Sequence, residues 1–156
     1  MYPWTHFLFP VFLVEILVHI SYLNHWHALI AGLIGVLVDL DHPIEFALVR
    51  KKFNLRQAWN NSVVSHKVEG RTFIHHWLGI LIVAIICFGL LFFNPLYALL
   101  LSLGYYSHIL LDYVHIKVLN KSIKFKEFGF SIRIPESELI FDVFLLLGII
   151  GLFVFL

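Results

Sequence analysis

Five apolar stretches alternate with polar segments along this chain of 156 residues. A helix that spans a membrane needs about 20 predominantly apolar residues. Four of the stretches approach that length, whereas the second is short and is expected to be tilted or extended by polar ends. The pattern predicts an all-α, polytopic membrane helical bundle of about five spans, as one membrane-embedded domain over residues 1–156. The stretches cover about residues 7–23, 28–40, 77–93, 96–114 and 139–156.

Prolines and alternating residues predict how the stretches are connected. Asn94-Pro95 separates the third stretch from the fourth, because proline starts helices well and interrupts them badly. For the same reason we expect Pro43 to end the second helix. In Ser122-Ile123-Lys124-Phe125-Lys126 polar and apolar residues alternate, which favours a short cytoplasmic hairpin at the membrane surface.

The composition supports a membrane protein. Hydrophobic residues make up 60% of the chain and charged residues 13%, with a mean hydropathy of +0.89. A soluble domain of this size could not bury that much apolar surface, so the bilayer must act as its solvent. The one cysteine, Cys87, rules out an internal disulfide and a cysteine-rich zinc ribbon.

The basic residues predict the orientation in the membrane. Every Lys and Arg lies between residues 43 and 73 or between residues 115 and 136. With five spans, both regions fall on the same side as the N-terminus, and the positive-inside rule places that side in the cytoplasm. We therefore expect a multi-pass protein of the inner or plasma membrane, with the lipid bilayer as its partner. The basic regions are read as topology signals and lipid contacts, and no nucleic-acid binding is expected.

Histidines and carboxylates collect at the predicted cytoplasmic ends of the helices. His108 and Asp112 are the strongest pair, because residues four apart share one helical face and a carboxylate in a lipid-embedded helix needs a partner or a cation. A His–Asp hydrogen bond that only fixes helix packing is the alternative. The candidate metal ligands are His6, Asp39, Asp41, His42, His75, His108, Asp112 and Glu138.

Three of these candidates come from one short segment. Asp39, Asp41 and His42 would close the second helix at Pro43, where acidic side chains oppose the helix dipole. A divalent cation would compensate their charge, and a nearby Lys or Arg is the alternative. His75 is preferred to its neighbour His76, because adjacent helical residues point about 100° apart.

The mixed His, Asp and Glu set without thiolates favours a divalent metal. Zinc is the first choice, Mn and Fe are the alternatives, and eight candidates leave room for one to three ions. Glu15 and His19 form a deeper pair four residues apart, which we interpret as packing or as support for the ligands. His25 and His27 fall on the outer side and are left out of the site.

These residues resemble the YdjM-type family of membrane-bound metal-dependent hydrolases. Residues 38–43 resemble its Pro-Asp-x-Asp-His-Pro block, with Val38 for the first proline, and residues 104–112 match its Gly-Tyr-x-Ser-His-x-x-x-Asp block closely. Residues 5–9 and Glu138 are similar to two less specific blocks. Residues 70–76 match the His-Arg-Gly-x-Thr-His-Ser block only in part, and His66 is the candidate replacement for its first histidine.

The resemblance implies a metal-dependent hydrolase, and a looser similarity to zinc-dependent phospholipase C and P1-type nucleases points to phosphoester or lipid substrates. We expect a phospholipid or another phosphoester to be cleaved at the cytoplasmic face, with Asp39 as the base and Arg71 on a phosphate oxygen. A transporter-like protein that binds cations and a purely structural membrane protein are the alternatives.

Overall fold

The computed structural model describes residues 2–20, 23–51, 54, 73–118, 122–127 and 130–155. These parts of the chain are mostly helical, as the hydrophobic pattern predicts. Two 3-10 turns, Val38–Leu40 and Phe73–His75, precede the third and fourth α-helices. The α-helices are α1 (Pro3–Val18), α2 (His25–Leu37), α3 (Asp41–Arg50), α4 (Trp77–Phe93), α5 (Pro95–Val118) and α6 (Glu136–Phe155), and the strands are β1 (Ser122–Glu127) and β2 (Phe130–Pro135).

The second helical stretch is longer than its apolar residues suggest. It begins with a reciprocal cap, in which the Asn24 side chain accepts from the His27 N–H and the His27 ring accepts from the Asn24 N–H. The helix then continues through the turn Val38–Leu40 into α3. The segment His25–Ile44 is 20 residues long, which is enough to cross a bilayer.

The expectation that Pro43 ends this helix is wrong. α3 begins at Asp41, so Pro43 lies in its first turn. Backbone N–H groups in a first turn have no partner within the helix, and proline is therefore tolerated there. Asp41 consequently lies where the turn Val38–Leu40 joins α3, and not at a helix end.

The packed core lies where α1, α2 and α5 meet. Its buried residues are Val11 and Val14 from α1, Ala28 and Ala31 from α2, and Leu100 from α5. Alanines on α2 allow the neighbouring helices to approach closely, as is common in membrane bundles. α6 packs along α1, so α1 lies centrally in the bundle.

Much of the outer surface is apolar. On α4, which packs against α5 and the turn Phe73–His75, the side chains of Phe92 and Phe93 are 76% and 88% exposed. Such exposure would be costly in water and is normal in lipid. Within the described ranges, His25–Ile44 and Glu136–Val154 are long and apolar enough to cross a membrane, and α1 and α4 are apolar but shorter.

The hairpin expected from the alternating residues is present. Strands β1 and β2 pair antiparallel, from Ser122 opposite Pro135 to Glu127 opposite Phe130. It leads directly into α6, so it joins the end of α5 to the start of the last helix.

Glycines mark the closest approaches between helices. A Cβ atom at Gly35 of α2 would overlap the His6 carbonyl oxygen of α1. At Gly104 of α5 a Cβ atom would lie 2.7 Å from the Ile34 side chain and 2.8 Å from the Ala31 carbonyl oxygen. α2 therefore lies close to both neighbours because these positions lack side chains.

Replacing Gly104 by alanine should push α5 away from α2. We expect Gly104→Ala to lower the free energy of unfolding by about 1–3 kcal/mol, the usual cost of overpacking. Gly89→Ala is the matched control, because nothing lies within 4 Å of a Cβ atom there. It should be neutral or stabilising, since alanine favours the helix. Thermal unfolding in detergent micelles measures both, and equal effects of the two variants would contradict the close packing.

Candidate metal centre

Seven polar side chains from five elements meet at one end of the bundle. α1 provides one of them, the turn Val38–Leu40 one, α3 two, the turn Phe73–His75 one and α5 two. In chain order they are His6, Asp39, Asp41, His42, His75, His108 and Asp112. We call this set the His/Asp cluster. The structure thus brings together seven of the eight candidate ligands, although they are far apart in sequence.

His108 lies at the centre of the His/Asp cluster and is fully buried. Its Nδ1–H donates to the Gly35 carbonyl oxygen at 2.7 Å. This bond directs the Nε2 lone pair into the cluster, as a backbone carbonyl often does for a metal-binding histidine. Nε2 lies 3.6 Å from Asp39 Oδ1 and 3.5 Å from Asp112 Oδ2.

His75 bridges the two halves of the cluster. Its Nδ1 is 3.0 Å from Asp41 Oδ2, and its Nε2 is 2.9 Å from His108 Nε2 and 3.4 Å from Asp112 Oδ2. Burial opposes a charge on this ring, but hydrogen bonds to Asp112 and Asp41 and their negative charges outweigh it and raise the pKa of His75 to about 9. The surroundings therefore favour a positive charge at this point, whether a proton or a metal ion supplies it.

His6 is fully buried and stacks on the His108 ring at 3.8 Å. Its Nε2 is 3.1 Å from Asp112 Oδ1, whereas its Nδ1 makes no hydrogen bond with a described residue. A cation between His6 Nε2 and Asp112 would have both groups as ligands.

The opposite side of the cluster is formed by Asp39, Asp41 and His42. His42 Nε2 is 3.7 Å from Asp39 Oδ1, and His42 Nδ1 is 3.8 Å from Asp41 Oδ1. The rings of His42 and His75 stack at 5.0 Å. Asp39 lies in the 3-10 turn, and Asp41 and His42 begin α3. This change of helical geometry lets three side chains from four consecutive positions reach the same site.

The spacing of these atoms fits divalent cations. Ligands about 2.0–2.1 Å from a tetrahedral zinc ion lie about 3.3 Å from one another. The contacts that His75 and His108 make within the cluster fall between 2.9 and 3.6 Å. Three overlapping groups have ligand atoms within 4.8 Å of one another: His6, His108 and Asp112; Asp39, His75 and His108; and Asp41, His42 and His75.

Glu138 lies beside the start of α1, and its role as a metal ligand stays a prediction. It is buried, and its Oε1 accepts from the Tyr2 N–H at 2.6 Å and from Thr5 Oγ1 at 2.9 Å. Within the described residues it belongs to none of the three groups. These contacts fix the start of α1 through Tyr2 and through Thr5, which directly precedes His6. Glu138 therefore helps to hold His6 in the cluster.

The sequence analysis does not single out Asp142, which is 5% exposed and lies one turn after Glu138 on α6. A carboxylate within an apolar helix is the sequence signal that could have identified it.

The predicted pair of Glu15 and His19 is replaced by another, because the buried Glu15 carboxylate lies 2.9 Å from His25 Nδ1 of α2. A spacing of four residues on one helix predicts that Glu15 and His19 are neighbours. Packing of α1 against α2 instead brings His25 within hydrogen-bonding distance of Glu15.

Tyr105 fixes the turn that carries His75. Its buried hydroxyl donates to the Ile74 carbonyl oxygen at 2.6 Å, directly before His75. His76 is exposed and belongs to none of the three groups, which agrees with the preference for His75. Arg71 and His66 lie outside the described residues, and the role predicted for Arg71 stays a prediction.

Comparison with known proteins supports the sequence resemblance. The family model for the YdjM inner membrane protein matches residues 1–117. This range holds all seven members of the His/Asp cluster and ends before the hairpin. No curated protein and no solved structure matches the chain.

Substitution of the adjacent histidines His75 and His76 should affect metal binding differently. We expect His75→Ala to lose at least one equivalent of bound zinc, because it removes a group that two of the three sets share. His76→Ala is the matched control and should keep the wild-type zinc content. Elemental analysis of protein purified in the same detergent measures both variants. Equal zinc content in wild type and His75→Ala would contradict the assignment.

Proposed function

Because the chain belongs to the YdjM inner membrane protein family, we propose that it is a membrane-bound metal-dependent hydrolase that cleaves a phosphoester at the cytoplasmic face. The observation that carries this proposal is the His/Asp cluster, with three carboxylates and four imidazoles at one end of an apolar bundle. A set of this kind without thiolates is typical of catalytic rather than structural zinc sites.

We propose five spans for the membrane arrangement, namely α1, the path from α2 into α3, α4, α5 and α6. The two basic regions and the N-terminus then lie in the cytoplasm, and the C-terminus lies outside. The His/Asp cluster would face the cytoplasm, within reach of lipid headgroups and soluble esters. Cysteine labelling at Lys51 from the inside and at Trp26 from the outside tests this arrangement, and labelling from the reverse sides would contradict it.

The proposed cofactor is one to three divalent ions, zinc first, with Mn or Fe as alternatives. When bound, zinc supplies Lewis acidity and lowers the pKa of its bound water to about 7. His108, His75 and His6 would hold the metal through their Nε2 atoms, and Asp112 would bind between them. His42 and Asp41 would complete the opposite side.

Asp39 is the proposed base. Its Oδ1 lies 3.6 and 3.7 Å from the nearest imidazoles, farther than the 3.0–3.1 Å contacts that engage Asp41 and Asp112. Its side chain is 21% exposed, so water can reach it. Asp39 would take the proton from the attacking water, and Arg71 would bind a phosphate oxygen as charge develops there.

Cation transport is the second candidate, because the buried Glu15 carboxylate, paired with the half-exposed His25 of α2, places an ionisable group on the same α1 helix as His6, toward its other end. A transport path would need polar groups between the two ends. Instead, the buried α1 residues Pro10, Val11 and Val14 separate them, and the apolar core packs around this segment. The hydrolase therefore fits the structure better.

Turnover of phosphoesters by the zinc-loaded protein in nanodiscs tests the proposal. Wild type should hydrolyse a phosphodiester, lose activity in EDTA and regain it with zinc. Asp39→Asn should keep its zinc but lose about 10²–10⁴ in kcat, the range for a general base. Glu136→Gln, an exposed acid at the start of α6, is the control and should behave as wild type.

Full activity of Asp39→Asn would remove Asp39 as the base but would leave the hydrolase. Absence of turnover by the metal-loaded wild type, together with zinc uptake into proteoliposomes, would contradict the hydrolase and favour transport. A protein that neither binds zinc nor turns over substrate would be structural.

A further inference from the structure

Two adjacent tyrosines of α5 bind backbone carbonyl groups of neighbouring elements, but at different places. The Tyr105 hydroxyl donates to the Ile74 carbonyl oxygen at 2.6 Å, which is a short hydrogen bond. The Tyr106 hydroxyl lies 3.4 Å from the Ile80 carbonyl oxygen, within α4. Of these two bonds, only the first reaches the turn Phe73–His75, which carries a member of the His/Asp cluster.

We propose that Tyr105 is a positioning residue of the metal centre, which holds His75 within metal-sharing distance of His108 through the Ile74 carbonyl group. The inference rests on the metal site of the proposed hydrolase. It assigns control of metal affinity to a side chain outside the cluster. Three observations carry it: the place of the tyrosine on α5, the packing of the turn, and the contacts of the His75 ring.

Tyr105 and His108 share one face of α5, because they are three residues apart on that helix. Both are buried, with exposed fractions of 2% and 0%. His108 reaches the cluster with its own ring, whereas Tyr105 reaches the backbone directly before His75. One helix therefore holds His108 and also the turn that carries its partner, so α5 sets the distance between two ligands from separate elements.

The turn Phe73–His75 is held between α4 and α5. On the α4 side, a Cβ atom at Gly79 would overlap the Phe73 carbonyl oxygen and would lie 2.8 Å from the Ile74 carbonyl oxygen. On the α5 side, the Tyr105 hydroxyl binds the same Ile74 oxygen. This carbonyl group is thus fixed by close packing against one helix and by a hydrogen bond from the other.

The His75 ring makes contacts on two sides, and both depend on where its backbone lies. Its Nε2 is 2.9 Å from His108 Nε2 and 3.4 Å from Asp112 Oδ2, and its Nδ1 is 3.0 Å from Asp41 Oδ2. A shift of the turn would lengthen at least one of these contacts. Loss of a group that orients a metal ligand typically weakens metal binding about 10–100-fold.

The zinc affinity of two matched variants tests the proposal. Tyr105→Phe removes the hydroxyl and keeps the buried ring, so we expect zinc to bind about 10–100-fold more weakly, the range for an orienting partner. Tyr106→Phe is the matched control and should bind zinc as wild type does, because its longer bond goes to α4, which carries no member of the cluster. Competition with a chelator, on protein in nanodiscs, measures the dissociation constants.

Hydrogen exchange of the metal-free protein distinguishes positioning from a general loss of stability. In Tyr105→Phe the amide hydrogens of residues 73–76 should exchange faster, while those in the middle of α4 and α5 keep their wild-type rates. Faster exchange throughout both helices would show that the hydroxyl only stabilises the fold, and it would overturn the proposal. Wild-type zinc affinity in Tyr105→Phe would overturn it too, as would an equal loss in Tyr106→Phe.

A double variant tests whether the hydroxyl acts through His75. The zinc that His75→Ala still binds should be held with the same affinity in Tyr105→Phe/His75→Ala, because no side chain is left for the hydroxyl to position. A further loss of affinity in the double variant would mean that Tyr105 acts on the whole site, and it would overturn the proposal.

These measurements need no turnover, so failure of this inference can be distinguished from failure of the hydrolase. Zinc affinity that depends on Tyr105, without cleavage of any phosphoester, would keep the positioning residue and reject the hydrolase. Turnover that Tyr105→Phe loses at limiting zinc should return at saturating zinc, since the variant lacks affinity and not a catalytic group. Turnover lost at unchanged zinc affinity would overturn the inference and leave the hydrolase, and a wild type that binds no zinc would overturn both.

Discussion

The rest of the structure depends on the cost of placing carboxylates and imidazoles in an apolar bundle. Asp112 and Asp41 contact imidazoles at 3.0–3.1 Å, and His6 and His108 are fully buried. Such groups are stable away from water only when charges are paired and hydrogen bonds are made. A cation shared among the members of the His/Asp cluster would meet that requirement for all of them.

The helices outside the cluster serve to hold it. Close approach at Gly35 lets a backbone carbonyl orient His108, and the Tyr105 hydroxyl fixes the turn before His75. Glu138 anchors the start of α1 beside His6. Three of the seven members, His108, His75 and His6, are therefore positioned by contacts from other helices, as side chains of a metal site with defined geometry would need to be. Lipid covers what remains.

Much of this could be predicted from the sequence because the strongest signals are local. His108 and Asp112 share a helical face by spacing alone, and alternating residues gave the hairpin. Contacts between distant elements could not be read in this way. The sequence does not show that Pro43 lies in a first turn, that Glu15 meets His25, or that Glu138 binds the start of α1, because each outcome depends on how two helices pack.

X-ray absorption at the zinc edge, on zinc-loaded protein in lipid nanodiscs, tests the central claim most directly. A cation held by the His/Asp cluster predicts nitrogen and oxygen ligands at about 2.0–2.1 Å, together with the outer-shell scattering of more than one imidazole ring. A shell of oxygen atoms without imidazole scattering would show that zinc binds elsewhere, and it would contradict the account.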